Sequence, residues 1–323
     1  MFKIKEIMKR FLGILICVIA FSGCDDGDLI VETINFDEIA TSTCGENNNL
    51  LFKLKEGEAL ILNVPEETFV EQATPGNDPI KLDIDKTNQV VYNFYTGKVA
   101  AANICDLIPP ANPSIKTQWN ATSGVIEITT ETVKKVDETN NSTRITGYKN
   151  SIVFRNITFT KQDNTTQFYD KFVFGEYVKP LENPLPFAFA QVLAICSSGL
   201  VYEHSASESL TLNIDPALIL NEVTPLNQPR IGTLGLVKNK LVYHLYSSVV
   251  PPEYFCQPTT PLLPTIKEEW LGKVGGTIEV TTTTNGPNSF VHTIVLKNVT
   301  MEKGNSNFQL GNSYKYGDLQ TVK

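Results

Sequence analysis

CDLIPPANPSIKTQW runs from Cys105 to Trp119, and CQPTTPLLPTIKEEW runs from Cys256 to Trp270. Cysteine, proline, isoleucine, lysine and tryptophan recur at identical offsets in the two stretches. Each tryptophan is soon followed by a glycine-led run rich in β-branched residues. That run is Gly124-Val-Ile-Glu-Ile-Thr-Thr in the first stretch and Gly276-Thr-Ile-Glu-Val-Thr-Thr in the second. Agreement of this extent identifies a tandem duplication.

Working outward, further matches keep the same order. Leu60-Ile-Leu-Asn answers Leu210-Thr-Leu-Asn, and Thr74-Pro75 answers Thr224-Pro225. Val91-Tyr-Asn-Phe-Tyr answers Val242-Tyr-His-Leu-Tyr, Val153-Phe-Arg-Asn-Ile-Thr answers Val295-Leu-Lys-Asn-Val-Thr, and Phe174-Gly-Glu answers Tyr316-Gly-Asp. Short runs of β-branched and aromatic residues with period-two alternation read as strands. In the first copy they cover residues 29–36, 50–55, 59–64, 80–84 and 90–95. A long hairpin follows, with arms 125–136 and 144–160 joined at Asn140-Asn141, and then a closing strand over 172–178. The second copy is about ten residues shorter between the hairpin arms, with Asn285-Gly286 as a tight turn. Length differences belong at hairpin tips, where few contacts constrain the chain. The expected fold is all-β, with two tandem homologous antiparallel β-sandwich-like domains. Strand order is not legible in the pattern.

The expected organisation is a signal peptide (1–23), a tether (24–28), a first β-domain (29–178), a linker (179–186) and a second β-domain (187–323). Pro180, Pro184 and Pro186 make that linker an extended, semi-rigid spacer, which predicts that the copies fold independently. A chain of 323 residues with 41% hydrophobic and 19% charged residues is ordinary globular material. Net charge is −8 and the mature part has no basic cluster, which argues against nucleic acid as a partner.

At the N-terminus, Lys3, Lys5, Lys9 and Arg10 precede an apolar stretch over residues 11–21. That stretch is too short to span a bilayer and fits a secretory signal. Phe21-Ser22-Gly23-Cys24 then resembles the lipobox of bacterial lipoproteins, with Phe21 where that family usually has Leu. The resemblance implies cleavage before Cys24 and acylation of that cysteine, a palmitate-bearing anchor. The acidic run Asp25-Asp26-Gly27-Asp28 resembles the tag that sends some outer-membrane lipoproteins to the cell surface; a periplasm-facing anchor is the alternative.

Of six cysteines, Cys17 lies in the signal and Cys24 in the lipobox. The other four fall two to a copy, Cys44 with Cys105 and Cys196 with Cys256, separated by 61 and 60 residues. Because an ancestral single domain could pair only with itself, the duplication selects one disulfide within each copy. An oxidising envelope preserves such bridges. Two distant thiols with no partner histidine make a poor metal site, and no metal or cofactor is expected.

A hydrolase needs a nucleophile with its base, or paired carboxylates, and no such signature stands out. His204, His244 and His292 all lie in the second copy; Asn93 and Asn150 are the counterparts of the last two. They read as strand-surface or hydrogen-bonded residues. Polar residues shared by both copies are Lys116/Lys267, Glu127/Glu279, Asn156/Asn298 and Glu176/Asp318. Alternation points Glu127 and Glu279 outward, toward cross-strand pairs with Lys116 and Lys267. Asn-x-Ser/Thr sequons such as Asn120 and Asn156 carry no weight in a bacterial lipoprotein. Trp119 and Trp270 are the candidates for stacking on a sugar if exposed; pinned between a disulfide and a hairpin, they are expected to close over the core instead.

The expected function is a lipid-anchored, surface-exposed, non-catalytic binding or accessory module for a glycan or an envelope protein. An envelope hydrolase with an unrecognised site is the alternative.

Overall fold

The computed structural model describes residues 33–45, 50–76 and 78–323. The signal peptide, the lipobox with Cys24, the acidic tether and residues 29–32 of the expected opening strand lie outside the described residues. Residues up to Asp37 form one unit, in which 33–36 are irregular rather than strand, and residues 38–323 form another. The rest of this description concerns the second unit.

The first copy contributes β1 (Ser42–Thr43), β2 (Leu50–Lys55), β3 (Glu58–Asn63), β4 (Ile80–Asp83) and β5 (Gln89–Tyr95). Three long strands follow, β6 (Ile115–Asp137), β7 (Ser142–Thr160) and β8 (Thr166–Pro180). The second copy has β9 (Val192–Ile195), β10 (Leu200–Ser205), β11 (Glu208–Asn213), β12 (Arg230–Thr233), β13 (Lys240–Tyr246) and β14 (Ile266–Gly272). It closes with β15 (Thr277–Thr284), β16 (Ser289–Lys297), β17 (Thr300–Lys303), β18 (Ser306–Gln309) and β19 (Tyr314–Val322). Both copies are antiparallel sandwich-like domains carrying one disulfide each, Cys44–Cys105 and Cys196–Cys256.

How one sheet makes two layers is clearest where the copies differ. In the first copy β6 pairs β5 along Asn120–Ile115 and β4 along Val125–Ile128, with register shifts between them. The sheet folds over at those bulges, which bend a strand and raise its twist. In the second copy the same corner is a break, β14 ending at Gly272 and β15 starting at Thr277. Gly124 sits at the corner with φ +129°, and a Cβ there would lie 2.8 Å from the Ile157 Cα. The facing strand turns at Asn156 (φ +49°) and, in the second copy, at Asn298 (φ +51°). The asparagine repeated in the sequence is thus explained by backbone: it is the side-chain-bearing residue that best tolerates left-handed geometry.

Alternation decides the faces. Along β16, Phe290, His292, Ile294 and Leu296 point inward, opposite Ile278, Val280 and Thr282 of β15. Thr74-Pro75 and Thr224-Pro225 also have one structural task. Thr74 exchanges two hydrogen bonds with Thr130, its N–H donating to the carbonyl (3.0 Å) and its Oγ1 accepting the Thr130 N–H (3.1 Å). Thr224 does the same with Thr282, at 3.1 Å for both.

The two copies do not stand apart on a spacer. Ile145 and Tyr148, from the long hairpin of the first copy, belong to the same buried cluster as Tyr243, Trp270, Phe308 and Leu310 of the second. The hairpin tip lies against β18 and the turn after it. Asn312 N–H donates to the Asn140 carbonyl (2.7 Å), Gln309 N–H to Thr143 Oγ1 (2.8 Å), and Tyr148 Oη–H to Ser306 Oγ (3.3 Å). The Arg144 guanidinium stands 4.7 Å from the Phe187 ring centroid and donates to the Gln309 carbonyl (3.3 Å). The residues by which the first hairpin exceeds the second therefore form an arm that clamps the copies together.

The linker packs on the core as well. β8 runs through Pro180, and Leu181, Leu185 and Phe187 pack on the shared core. The buried Glu208 carboxylate accepts the Phe187 N–H (2.9 Å), the Ala188 N–H (2.6 Å) and the Tyr243 hydroxyl (2.8 Å). Glu203 accepts the N–H groups of Gln191 and Val192. Phe187 stacks on Tyr243 with centroids 4.5 Å apart. Backbone donors met by buried carboxylates are costly to break, because the charge is then left unpaired.

Candidate functional site

The stretches that reveal the duplication form a repeated surface feature. After β5 the chain turns back over the outer face of its sheet, and Val99 N–H donates to the Glu56 carbonyl (2.8 Å). Val250 does the same with Ala206 (2.9 Å) after β13. Under each turn is a small apolar cluster: Ala59, Tyr95 and Val99 with Ile104 in the first copy, Tyr246, Val250 and Tyr254 with Phe255 in the second. The disulfide ties this cap to the strand before β2 or β10.

The neck of each loop is closed by one device with its residues exchanged. Thr96 N–H donates to the Ser114 carbonyl (2.9 Å) while Ser114 N–H donates to Thr96 Oγ1 (3.1 Å). Ser247 N–H donates to the Thr265 carbonyl (2.8 Å) while Thr265 N–H donates to Ser247 Oγ (3.1 Å). Beyond the necks the tips project. Leu107 and Ile108 are 100% and 85% exposed, and Leu262 and Leu263 are 91% and 74% exposed. Each loop thus exposes a pair of aliphatics, at different offsets from its cysteine, two and three residues on in the first copy and six and seven in the second. Sequence reading passed over them, although Leu-Ile-Pro-Pro and Pro-Leu-Leu-Pro stood inside the motif itself.

The tryptophans are the reverse case. They lie on strands rather than in the loops, Trp119 opposite Tyr92 on β5 and Trp270 opposite Tyr243 on β13. Trp119 is 1% and Trp270 3% exposed, so neither offers an open face to a sugar and neither is a stacking platform. Lys161 Nζ stands 4.1 Å from the Trp119 ring and Lys303 Nζ 5.4 Å from the Trp270 ring. Both indole N–H groups are buried without a hydrogen-bond partner.

The shared acids point outward as expected, with different partners. Glu127 accepts from Arg155 Nε (2.8 Å) and Glu279 faces Lys297 (3.7 Å), both across the hairpin, while Lys116 lies over the Phe94 ring. Sequence reading missed a shared pair, in which Tyr92 donates to the half-buried Glu58 (3.0 Å) as Tyr243 donates to the buried Glu208. Desolvation and the Glu208 charge push the Tyr243 hydroxyl far above its ordinary pKa.

The histidines do not converge. His292 is fully buried, with Thr282 Oγ1 2.8 Å from Nδ1 and Thr321 Oγ1 2.9 Å from Nε2. Arg230 donates to the same Thr282 oxygen (2.8 Å), which fits a threonine proton directed at Nδ1. Burial, helped by Arg230, lowers the His292 pKa. In the first copy Asn150 fills this place, accepting from Thr130 (2.8 Å). His244 pairs with Glu269 (2.8 Å), where the first copy has Asn93 with Gln118 (3.1 Å). Tyr246 Oη reaches His244 Nδ1 at 3.4 Å and Ser209 Oγ at 3.1 Å, and burial pushes that phenol up to about 12. His204 lies beside Phe255, ring centroids 5.5 Å apart.

At the junction of the copies a small recess of about 20 Å³ is lined by Glu71, Tyr148, Leu181, Glu268, Trp270 and Lys303. Lys303 and Glu268 are paired across it. Its interior has room for one or two waters, well short of the space a small-molecule ligand fills. Among the described residues no group of three or more His, Cys, Asp or Glu side chains is placed to hold a metal ion.

No protein-family model, no curated protein and no solved structure matches this chain.

Proposed function

We propose that this protein is a lipid-anchored, non-catalytic binding module displayed at the surface of the outer membrane, whose ligand is an envelope protein. The anchor rests on the lipobox-like Phe21-Ser-Gly-Cys24, and surface display on the acidic run behind it. The observation that favours a protein over a glycan is an aliphatic edge in the second copy. Among the described residues β12 is a terminal strand of its sheet and pairs only β15. Between residues 220 and 237, Leu220, Val223, Leu226, Ile231, Leu236 and Val237 are all exposed. The first copy carries Lys81 and Lys86 in the corresponding stretch, so the surface is not a by-product of the fold. Concentrated exposed aliphatics beside an open strand edge mark interaction sites. Trp119 and Trp270, the candidates for stacking on a sugar, are buried.

Pull-down from envelope extract with the chain begun at Asp25, set against Leu226→Glu/Ile231→Glu, tests this reading, with a glycan array alongside. A partner that the double variant loses supports it. Retention of every partner by the variant, or glycan binding that the variant keeps, contradicts it. The one feature favouring the hydrolase alternative is the half-exposed His244–Glu269 pair. The hydroxyl that meets His244 Nδ1 is that of Tyr246 (3.4 Å), to which Ser209 is also turned.

A further inference from the structure

The two proline loops need a partner of their own, and we propose that their tips insert into the headgroup region of the bilayer to which the chain is anchored. The anchor is the reading given above; the chemistry of the loops is a separate observation.

The first point is composition. The tips offer Leu107, Ile108, Leu262 and Leu263, all more than 70% exposed. Neither tip carries an aromatic residue or an arginine, the side chains that dominate protein–protein hot spots, where leucine is under-represented. Apart from Asp106, beside the disulfide, neither tip carries a charge. The second point is the backbone. Peptide N–H groups are costly to bring into lipid unless they are satisfied. Pro109, Pro110 and Pro113 in one loop, and Pro258, Pro261 and Pro264 in the other, have no N–H to satisfy.

The third point is mounting. Each tip stands on a disulfide, a double hydrogen-bonded neck and a small apolar cluster. Little order remains to be gained on insertion. Lys116 and Lys267 stand exposed two residues beyond the necks, where cations meet anionic headgroups. A lipid anchor on the same chain strengthens such a contact, because the contact becomes intramolecular.

The test uses the chain begun at Asp25, which keeps every described residue and lacks the acylated cysteine. It is sedimented with vesicles of phosphatidylethanolamine and phosphatidylglycerol. The expected result is binding that falls roughly tenfold for each tip aliphatic changed to serine, and at least a hundredfold for all four. The melting temperature should barely move, since these side chains are mostly exposed. In a second arm, the Leu263→Trp variant should shift its emission to the blue on vesicles, over a constant signal from the two buried tryptophans. Absence of vesicle binding, binding that survives all four substitutions, or an emission from the Leu263→Trp variant that does not shift overturns the proposal. So does loss of self-association or of a protein partner in the serine variant while vesicle binding stays intact. None of these results bears on the anchor, which labelled palmitate on Cys24 reads separately.

Discussion

Removal of Tyr148 probes the joint between the copies more sharply than any other single change. The side chain is 1% exposed and belongs to the first copy by sequence, yet it packs in the cluster that holds Trp270 and Phe308. Tyr148→Ala removes a large aromatic from a closed site, for which a loss of about 3–5 kcal/mol is the usual range. It also removes the hydrogen bond to Ser306, although Ser306 Oγ keeps the Ala73 N–H as donor (3.0 Å). Tyr148→Phe isolates that bond and should cost about 0.5–1.5 kcal/mol. Native-state hydrogen exchange read by peptide is the assay. At about tenfold per 1.4 kcal/mol, Tyr148→Ala should speed exchange of globally protected amides on β14, β17 and β18 by a hundred- to a few-thousand-fold. Those strands lie more than a hundred residues downstream of the substitution. If acceleration is confined to β6, β7 and β8, the shared core is not energetically shared, and the clamp is a contact without consequence.

Three further outcomes follow from individual side chains. Both tryptophans should resist iodide quenching, and Trp119→Ala should destabilise by about 3–5 kcal/mol; ready quenching of either contradicts its burial. His292 has a lowered pKa, so below about pH 6.5 the unfolded chain takes up a proton that the folded chain refuses until the lower folded value is reached. Stability should fall with pH across that window, and His292→Asn, which copies Asn150, should flatten the slope; equal slopes would show that the ring protonates freely in place. Cys24→Ala should abolish palmitate incorporation, and a variant that keeps it is acylated at another site.

Much of the fold was legible because duplication supplies an internal alignment. Matching residues at Cys105/Cys256, Asn156/Asn298 and Thr74/Thr224 each turned out to mark a backbone necessity: a bridge, a left-handed corner, a latch. Alternation gave the strands their faces, and even the burial of His292 follows from its place between Phe290 and Ile294. Two kinds of information were missing. Contacts between the copies have no counterpart within either copy, so the joint formed by Arg144, Tyr148 and Ser306 leaves no repeat to detect. The prolines at 180, 184 and 186 read as a spacer because proline reports backbone stiffness, not whether Leu181, Leu185 and Phe187 find a core. Surface chemistry was obscured by expectation: tryptophan is the familiar sugar platform, whereas exposed leucines between prolines look like ordinary loop material until their exposure is seen twice.

Each copy holds one tryptophan, and this provides the most direct measurement of the central claim that both copies form one body. Trp270→Phe leaves Trp119 to report the first copy, and Trp119→Phe leaves Trp270 to report the second. Each variant is unfolded in guanidinium with its tryptophan and its far-ultraviolet circular dichroism followed together. One body predicts that the two signals change in a single coincident transition in both variants. A tryptophan transition well separated from that of the backbone signal, in either variant, would show that the copies unfold apart and that the hairpin does not join them.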